Sequence, residues 1–237
     1  MKRYLPFVII AVVLIAAVVS AWILIREKSG AADTTNVLTA TDKSTPIPDN
    51  GSNQSAPTSE VAIPKPNVKV SSPVVLDEYG DYQCPPCGML YPELKKIEGE
   101  YGNQLRIVFH HFPLTKIHKN ALSAARAAEA ARNQNKFWEM HDRLYRNQKE
   151  WADSADPWPI FISYAQELAL NVDRFNRDIN SIEVDQRINA DFQKGTSLRV
   201  TGTPTVFVDG RMLNYEATTP EGLRRAINLM LERKAVS

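Results

Sequence analysis

The order of apolar and polar positions divides the chain into three parts, the first of which is an apolar run. Residues Pro6 to Ile25 include no charged side chain. A helix of that length spans roughly 30 Å, the thickness of the hydrocarbon core of a bilayer. Lys2 and Arg3 precede the run, so the positive-inside rule keeps the N-terminus in the cytoplasm and sends the rest outside. We therefore predict a membrane anchor over residues 1–28; a cleaved signal peptide is the alternative, which the length of the run disfavours.

The second part, residues 29–67, has no apolar periodicity. Ser, Thr, Pro, Asn, Asp and Ala dominate its composition. Such a segment buries too little apolar surface to offset the entropy of ordering the chain. The composition predicts a flexible extracytoplasmic linker.

The third part, residues 68–237, is predicted to be the folded domain. Strand-forming residues run from Val74 to Tyr79 and again from Leu105 to Phe112. Between them, Pro86 to Glu100 carries apolar side chains at helical spacing, and Gly102-Asn103 ends that helix. Strand, helix and strand with short connections predict a parallel βαβ unit.

A helical block follows at about residues 117–198. It includes the alanine-rich segment Ala121 to Ala131, which has the strongest helix propensity of the chain. Three further segments carry apolar side chains at helical spacing: Phe137, Met140, His141 and Leu144; Ile160, Tyr164 and Leu168; and Val184, Ile188 and Phe192. These narrow faces are expected to pack on one another and on the sheet. Trp151 and Trp158 flank a predicted loop and are interpreted as covering the helical block.

Strand-like patterns return after the block. Thr205 to Val208 and Arg211 to Tyr215 are predicted strands, joined by a two-residue turn at Asp209-Gly210. Thr219 and Pro220 mark the start of the last helix. The predicted order is β-α-β, a helical block, and β-β-α.

Composition narrows the range of functions. The 237 residues include 28 basic and 27 acidic side chains, for a net charge of +1. That balance gives no reason to expect a nucleic-acid partner. The chain has two cysteines, Cys84 and Cys87. A disulfide-stabilised fold would need more cysteines placed further apart, so this pair is predicted to carry chemistry.

Cys84 lies between the first predicted strand and the first predicted helix. Unpaired amides and the dipole at a helix N-terminus stabilise a thiolate, which is the attacking species in disulfide exchange. Cys87 lies about one turn further on and can close a disulfide with Cys84. Pro85 and Pro86 stiffen the turn but remove two amide donors, so the redox potential stays open.

Two other roles fit the cysteine pair less well. A zinc site would need two more ligands, and no histidine has ligand spacing to the pair. A structural disulfide would close so short a loop that it would add little constraint. We therefore predict no metal and no cofactor. The four histidines, His110, His111, His118 and His141, are interpreted as structural or surface residues.

Two segments carry a family resemblance. VVLDEYGDYQCPPCGMLYP, residues 74–92, and GTPTVFVDG, residues 202–210, resemble the thioredoxin superfamily. The helical block between them is similar to that of the DsbA-type branch, which includes membrane-anchored bacterial members. The resemblance covers Ser72 to Lys234. It implies an α/β, thioredoxin-like fold with a helical insertion, preceded here by a transmembrane helix and a linker.

The resemblance also implies roles for individual residues. Cys84 matches the nucleophile of the family, and Cys87 matches its resolving cysteine. Pro204, after Thr203, matches a proline held in cis beside the cysteines, and Thr203 would then offer its backbone to a substrate chain as an added strand. Glu78 matches a buried acid that could relay a proton for the second cysteine; an acid in solvent at the strand end is the alternative.

The predicted function is that of a protein thiol–disulfide oxidoreductase, with oxidation of substrate thiols as the leading hypothesis. Its partners would be cysteine-containing substrate proteins and, by resemblance, a quinone-linked thiol oxidase in the membrane. Pro86 and Thr203 replace the histidine and valine of the best-known oxidase pattern, which leaves the direction of electron flow open. A reductase or isomerase served by a membrane carrier of reductant is one alternative. A tethered, non-catalytic binding or chaperone module is another.

The predicted location is the cell membrane. We expect a single-pass protein whose catalytic domain lies on the periplasmic or cell-surface side, where an oxidising environment suits disulfide formation. We expect a monomer. No separate dimerisation domain is visible in the sequence, which weakens the isomerase alternative.

Overall fold

The computed structural model describes residues 65–66 and 71–236, which all lie within one compact unit, Thr58–Ser237. The predicted anchor at 1–28 lies outside the described residues, and so does the linker at 29–67 apart from Lys65 and Pro66. Among the residues that are described, no helix is long and apolar enough to cross a membrane.

The cysteines follow the first strand of a βαβ unit. β1 (Val74–Gly80) leads into α1 (Pro85–Tyr101), and a 3-10 turn connects that helix to β2 (Leu105–His111). The two strands are parallel, with Val74 opposite Leu105 and Gly80 opposite His111. Both are rich in β-branched and aromatic side chains, which suit a pleated, half-buried surface. The predicted unit is confirmed, and each strand differs from its prediction by one residue at its C-terminal end.

Six helices of the described chain form the insertion between β2 and the next strand. They are α2 (Ala121–Arg132), α3 (Phe137–Arg146), α4 (Gln148–Trp151), α5 (Trp158–Glu167), α6 (Val172–Asp178) and α7 (Ile182–Ser197). Four of them coincide with the segments predicted from apolar spacing. The other two, α4 and α6, are too short for that spacing to reveal them.

Trp151 lies inside the helical block rather than over it. Its side chain is fully buried, and its indole nitrogen donates a hydrogen bond to the carbonyl oxygen of Leu144, 2.9 Å away. Trp158 begins α5 and is partly buried against the same core. Both tryptophans are therefore packing residues, as interpreted, and they flank the loop as predicted, because one helix ends at Trp151 and the next begins at Trp158.

The sheet is completed by β3 (Thr205–Val208) and β4 (Arg211–Met212). Its strand order is β2-β1-β3-β4, and β3 is antiparallel to β1. Asp209 and Gly210 have φ values of 45° and 75°, which is the left-handed backbone that a tight hairpin turn requires.

The prediction of a strand as far as Tyr215 is wrong. β4 ends at Met212, and Tyr215 begins a 3-10 turn, Tyr215–Thr218. The side chain of Asn214 accepts a hydrogen bond from the amide of Ala217 and so stabilises this turn in place of a longer edge strand.

The chain ends in α8 (Pro220–Val236), which begins as predicted. The hydroxyl of Thr219 accepts a hydrogen bond from the amide of Gly222 at 3.2 Å. Apolar side chains of α1 and α8 form one core cluster with the sheet, including Leu76, Leu94, Ile97, Val206, Leu223 and Ile227. A second cluster joins the helical insertion to the start of α1 and includes both cysteines. The reactive pair thus sits where the insertion meets the sheet.

Candidate active site

Cys84 caps the N-terminus of α1. It has extended backbone angles, φ −68° and ψ 120°, and Pro85 and Pro86 occupy the first helical positions. The amide of Cys84 donates to the carbonyl oxygen of Asp81 at 3.0 Å, and its own carbonyl accepts from the amide of Gly88 at 3.1 Å. The prolines have the fixed φ that a helix start needs and no amide that would be left unpaired there.

The loop before β3 lies against this cap. The Thr203–Pro204 peptide bond is cis, in line with the resemblance. The Sγ atom of Cys84 lies 3.3 Å from the carbonyl oxygen of Thr203. Cys84 is therefore adjacent in the fold to Thr203 and Pro204, which lie far from it in the sequence.

The surroundings of the two thiols shift their pKa values in opposite directions. Both cysteines are free thiols, with exposed fractions of 4% for Cys84 and zero for Cys87. A hydrogen bond from the Cys87 side chain, opposed by burial and helped by Thr203 and the Cys87 amide, lowers the pKa of Cys84 to about 6. Burial, the hydrogen bond to Cys84 and the nearby Glu78 raise the pKa of Cys87 well above its ordinary value. One sulfur is therefore readily ionised, and the other holds its proton.

Glu78 lies in β1 beneath the cysteines and is buried. Its exposed fraction is 2%, so the alternative of an acid in solvent at the strand end is wrong. Burial, with a smaller contribution from Cys84, raises its pKa to about 8. Its Oε1 atom has no hydrogen-bond partner among the described residues. The role of Glu78 as a proton relay stays a prediction.

A glutamine that the sequence did not single out holds the cysteine turn. Gln148 of α4 donates through Nε2 to the carbonyl oxygens of Tyr82 at 2.7 Å and Cys84 at 2.9 Å. A Cβ atom at Gly88 would lie 2.6 Å from Oε1 of Gln148, so this contact needs glycine there. No local pattern marks Gln148, because its role follows from the packing of the insertion on the turn.

A buried carboxylate on the other side of the turn organises the loop after β2. Asp81 accepts hydrogen bonds from the amides of Gln83 at 2.7 Å and Leu114 at 2.9 Å. His118 Nδ1 lies 2.7 Å from the same carboxylate. His118 is therefore a structural partner of Asp81, which agrees with its interpretation as a structural residue.

His110 and His111, next to each other in β2, are both buried and both paired with acids. His110 lies 2.9 Å from each of Asp77 and Asp191, and His111 lies 2.9 Å from Glu129. Burial lowers the pKa of His110, but the hydrogen bonds to the two aspartates outweigh it and raise the pKa to about 9. Neither histidine is a surface residue. Within residues 71–236, no group of His, Cys, Asp and Glu has the arrangement of a metal site.

An apolar groove runs beside the cis-proline. Its volume is about 210 Å³, and its lining includes Pro86, Met89, Leu90, Pro204, Tyr215 and Pro220. Met89 and Tyr215 are 69% and 88% exposed. Large apolar side chains clustered at the surface beside a reactive thiol are typical of a binding site.

Comparisons with known proteins agree with this fold. The family model described as thioredoxin matches residues 69–229. A Na⁺/H⁺ antiporter NhaA 1 of Salinispora arenicola is 41% identical over 140 residues, which are 59% of this chain and 21% of that protein. This chain thus spans about a fifth of the length of the curated relatives that it matches.

Solved structures share the whole domain. The oxidoreductase DsbA of Xylella fastidiosa is similar with a TM-score of 0.59 and 19% identity, over 73% of this chain and 92% of that one. BdbD of Bacillus subtilis has a TM-score of 0.59 and 19% identity, over 70% of this chain and 91% of that one. These likenesses agree with the predicted α/β, thioredoxin-like fold with a helical insertion. Because the family model matches more than half of the chain, the protein belongs to the thioredoxin family, and its fold is that of the DsbA-like members.

Proposed function

We propose that this protein is a thiol–disulfide oxidoreductase in which Cys84 attacks and Cys87 resolves, and that it oxidises the thiols of exported proteins. The observation that carries the proposal is the contrast between the two thiols. The pKa of Cys84 is lowered to about 6, whereas that of Cys87 is raised. Disulfide exchange needs one ionised nucleophile and one protected partner that can close the ring.

In the oxidising direction, the disulfide form of the pair reacts first. A substrate thiolate attacks Sγ of Cys84, the bond to Cys87 breaks, and Cys87 leaves as a thiolate that takes up a proton. A second substrate thiolate then attacks the substrate sulfur of the mixed disulfide, and Cys84 leaves as a thiolate. The substrate loses two electrons and gains a disulfide, and the cysteine pair is reduced.

Stabilisation of the Cys84 thiolate favours this direction. The thiolate exists only in the reduced form, so a low pKa lowers the free energy of that form relative to the disulfide. At pH 7, a fall of the pKa to about 6 contributes roughly 1.4 kcal/mol, or about 30 mV, towards an oxidising couple. A reductase or isomerase would need other groups to reverse this contribution.

The groove beside Pro204 supports a protein substrate. A substrate chain lying along the Thr203–Pro204 segment would pair with the backbone that leads into β3 and bring its cysteine to Sγ of Cys84. Apolar side chains of that chain would enter the groove at Met89 and Tyr215. We therefore propose unfolded or partly folded chains, which expose apolar side chains, as substrates.

The sequence supports a location outside the cytoplasm. We propose that residues 1–28 anchor the chain in the membrane, that residues 29–67 tether it, and that the domain at 68–237 acts as a monomer on the extracytoplasmic side. A membrane-bound, quinone-linked thiol oxidase would reoxidise the pair there. The name Na⁺/H⁺ antiporter belongs to longer proteins, and ion transport is not part of this proposal.

Trapping of mixed disulfides tests the chemistry. The full chain carrying Cys87→Ser should accumulate covalent complexes with cysteine-containing proteins in its host, visible on non-reducing gels and lost on reduction. Cys84→Ser is the matched control and should form none. Equal, background amounts with both variants would leave the non-catalytic binding module as the function.

A further inference from the structure

A small cavity lies against Glu78, between the sheet and helices α1 and α3. Its volume is about 10 Å³, close to what a single water molecule needs. Besides Glu78, its lining includes Tyr91, Lys95, Trp138 and His141. The cavity thus joins the acid beneath the cysteines to a second buried titratable side chain and to the surface residue Lys95, which is 39% exposed.

His141 is held with one ring nitrogen able to accept a proton. Its Nδ1 lies 3.2 Å from Oδ1 of Asp142, and this carboxylate places the ring proton on Nδ1. Nε2 then keeps a lone pair and, like Oε1 of Glu78, is buried without a hydrogen-bond partner among the described residues. Buried polar atoms nearly always have partners, so two orphans beside one water-sized cavity call for an explanation. Burial lowers the pKa of His141, and the ring is therefore neutral near pH 7.

We propose that His141 is a relay residue that exchanges the proton of Cys87 with solvent, acting through Glu78 and one water molecule in this cavity. The path runs from the thiol of Cys87 to the carboxylate of Glu78, and through the water to Nε2 of His141. Asp142 stabilises the imidazolium that forms. The inference rests on the proposed function, because the path matters only if Cys87 gains and loses its proton.

Each direction of the reaction requires a proton to leave or reach Cys87, and this path carries it. When the pair is reoxidised, Cys84 carries a mixed disulfide, and Cys87 must lose its proton as it attacks Sγ of Cys84. The new disulfide forms, the partner sulfur leaves as a thiolate, and the proton of Cys87 passes to Glu78. Because its pKa is raised to about 8, Glu78 is already protonated at neutral pH, so one of its oxygens accepts the proton of Cys87 only as the other passes its own proton, through the water, to Nε2 of His141. In the oxidising step, the same path delivers a proton to the Cys87 thiolate.

The groups around the path do not compete for the proton. Burial raises the pKa values of three tyrosines that face it, so they stay uncharged at neutral pH: Tyr82, Tyr91 and Tyr145. The neighbouring titratable side chains are engaged in pairs. Lys95 pairs with Glu98 at 2.7 Å and with Asp142 at 3.8 Å, and His111 pairs with Glu129. Glu78 lacks such a pair, and His141 pairs with Asp142 through Nδ1 only, which leaves its Nε2 without a partner among the described residues.

Ellman's reagent isolates the step that the relay serves. In the reduced full chain, Cys84 attacks first and releases one thionitrobenzoate, and Cys87 then resolves the mixed disulfide and releases the second. Stopped-flow absorbance gives the rate of the second release as a function of pH. We expect His141→Gln and His141→Leu to slow it at least roughly tenfold near neutral pH, which is a modest share of what proton transfer contributes to catalysis.

Three controls separate proton transfer from packing. Phe137→Leu removes an aromatic ring whose centroid lies 6.1 Å from that of His141 but no proton acceptor, and it should leave the rate unchanged. In a Glu78→Gln background, His141→Gln should cause no further slowing, because the path is already cut. In the unaltered protein, mixtures of light and heavy water should give a curved dependence of the rate on deuterium content, since more than one proton moves.

The outcomes are distinct. A wild-type rate in His141→Gln, equal slowing in Phe137→Leu, or a linear dependence on deuterium content would overturn the relay. If the unaltered protein releases no second thionitrobenzoate at all, the proposed function fails, and not only this inference.

Discussion

The Sγ atom of Cys84 lies 3.3 Å from the carbonyl oxygen of Thr203, so the thiol donates to the residue before the cis-proline. After ionisation the sulfur can only accept. The hydroxyl of Thr203, which is buried without another partner among the described residues, is then the donor beside it. Next to the larger contribution of Cys87, this hydroxyl lowers the pKa of Cys84. Thr203 thus accepts from the thiol of Cys84 through its carbonyl oxygen and donates to the thiolate through its hydroxyl.

Thr203→Val, which keeps the shape and removes the hydroxyl, should raise the pKa of Cys84 by several tenths of a unit to about one unit. A net hydrogen bond contributes about 1 kcal/mol, which corresponds to a shift of that size. The pH dependence of Cys84 alkylation, located by mass spectrometry, measures it. Thr205→Val is the matched control, because that hydroxyl bonds to the carbonyl of Gly202 at 2.8 Å. An equal rise in both variants would show that the effect is not specific to the thiolate.

Glu78→Gln should make the reduced protein more stable at neutral pH. The pKa of Glu78 is raised from 4.5 to about 8 on folding, so the folded state binds the extra proton and the free energy of unfolding falls as pH rises through that window. The variant lacks this loss, and its advantage should reach about 3 kcal/mol at pH 7. Urea unfolding at a series of pH values measures it. Glu100→Gln should show the opposite sign, because a hydrogen bond from Arg224 lowers the pKa of Glu100; a pH-independent difference for Glu78→Gln would contradict its burial as a neutral acid.

His110 should stabilise the fold at low pH and lose that effect in alkali. Its pKa is raised to about 9, above the unfolded value of about 6.5. Its contribution is therefore complete below about pH 6.5 and disappears as pH rises through 9. His110→Gln should cost on the order of 2–3 kcal/mol at pH 6 and much less at pH 10. Asp191→Asn, which removes one of the two acids, should give part of the same pH dependence, and equal costs at both pH values would refute the charged pair.

Gln148→Ala should destabilise the protein by about 1–3 kcal/mol, because two carbonyl oxygens of the cysteine turn lose their donor. Gln134→Ala is the matched control, since that side chain also donates to a backbone carbonyl, of Asn171 at 3.1 Å, but at an exposed site. It should cost less than about 0.5 kcal/mol. Similar losses in the two variants would mean that Gln148 has no special part in holding the turn.

Features with a local signal were predictable from the sequence. The βαβ unit follows from two β-rich segments and one helical period, and the start of α8 follows from Thr219 and Pro220. The short helices α4 and α6 were missed because neither is long enough to show a period. The strand prediction fails at Tyr215 because the side chain of Asn214 accepts from the amide of Ala217, and this local cap starts a 3-10 turn in place of a longer edge strand.

In the candidate site, too, some residues have a local signal in the sequence and others do not. Cys84, Cys87 and Pro204 stand in recognisable segments, and the resemblance places them together. The importance of Gln148 and His141 depends on which side of the insertion packs against the cysteine turn, and no local pattern determines that. His141 in particular occupies a core position at helical spacing, where an ordinary packing residue was the natural interpretation.

The redox potential of the Cys84–Cys87 pair tests the central claim most directly. The reduced and oxidised forms of the full chain, equilibrated with glutathione buffers and separated after acid quenching, give the potential. The pKa of Cys84, about 6, lies below the value of about 7 for the nucleophile of thioredoxin, so at pH 7 it predicts a couple about 20 mV more oxidising than thioredoxin, whose potential is about −270 mV. A potential at or below about −270 mV would contradict the assignment as an oxidase and favour a reductase built on the same two cysteines.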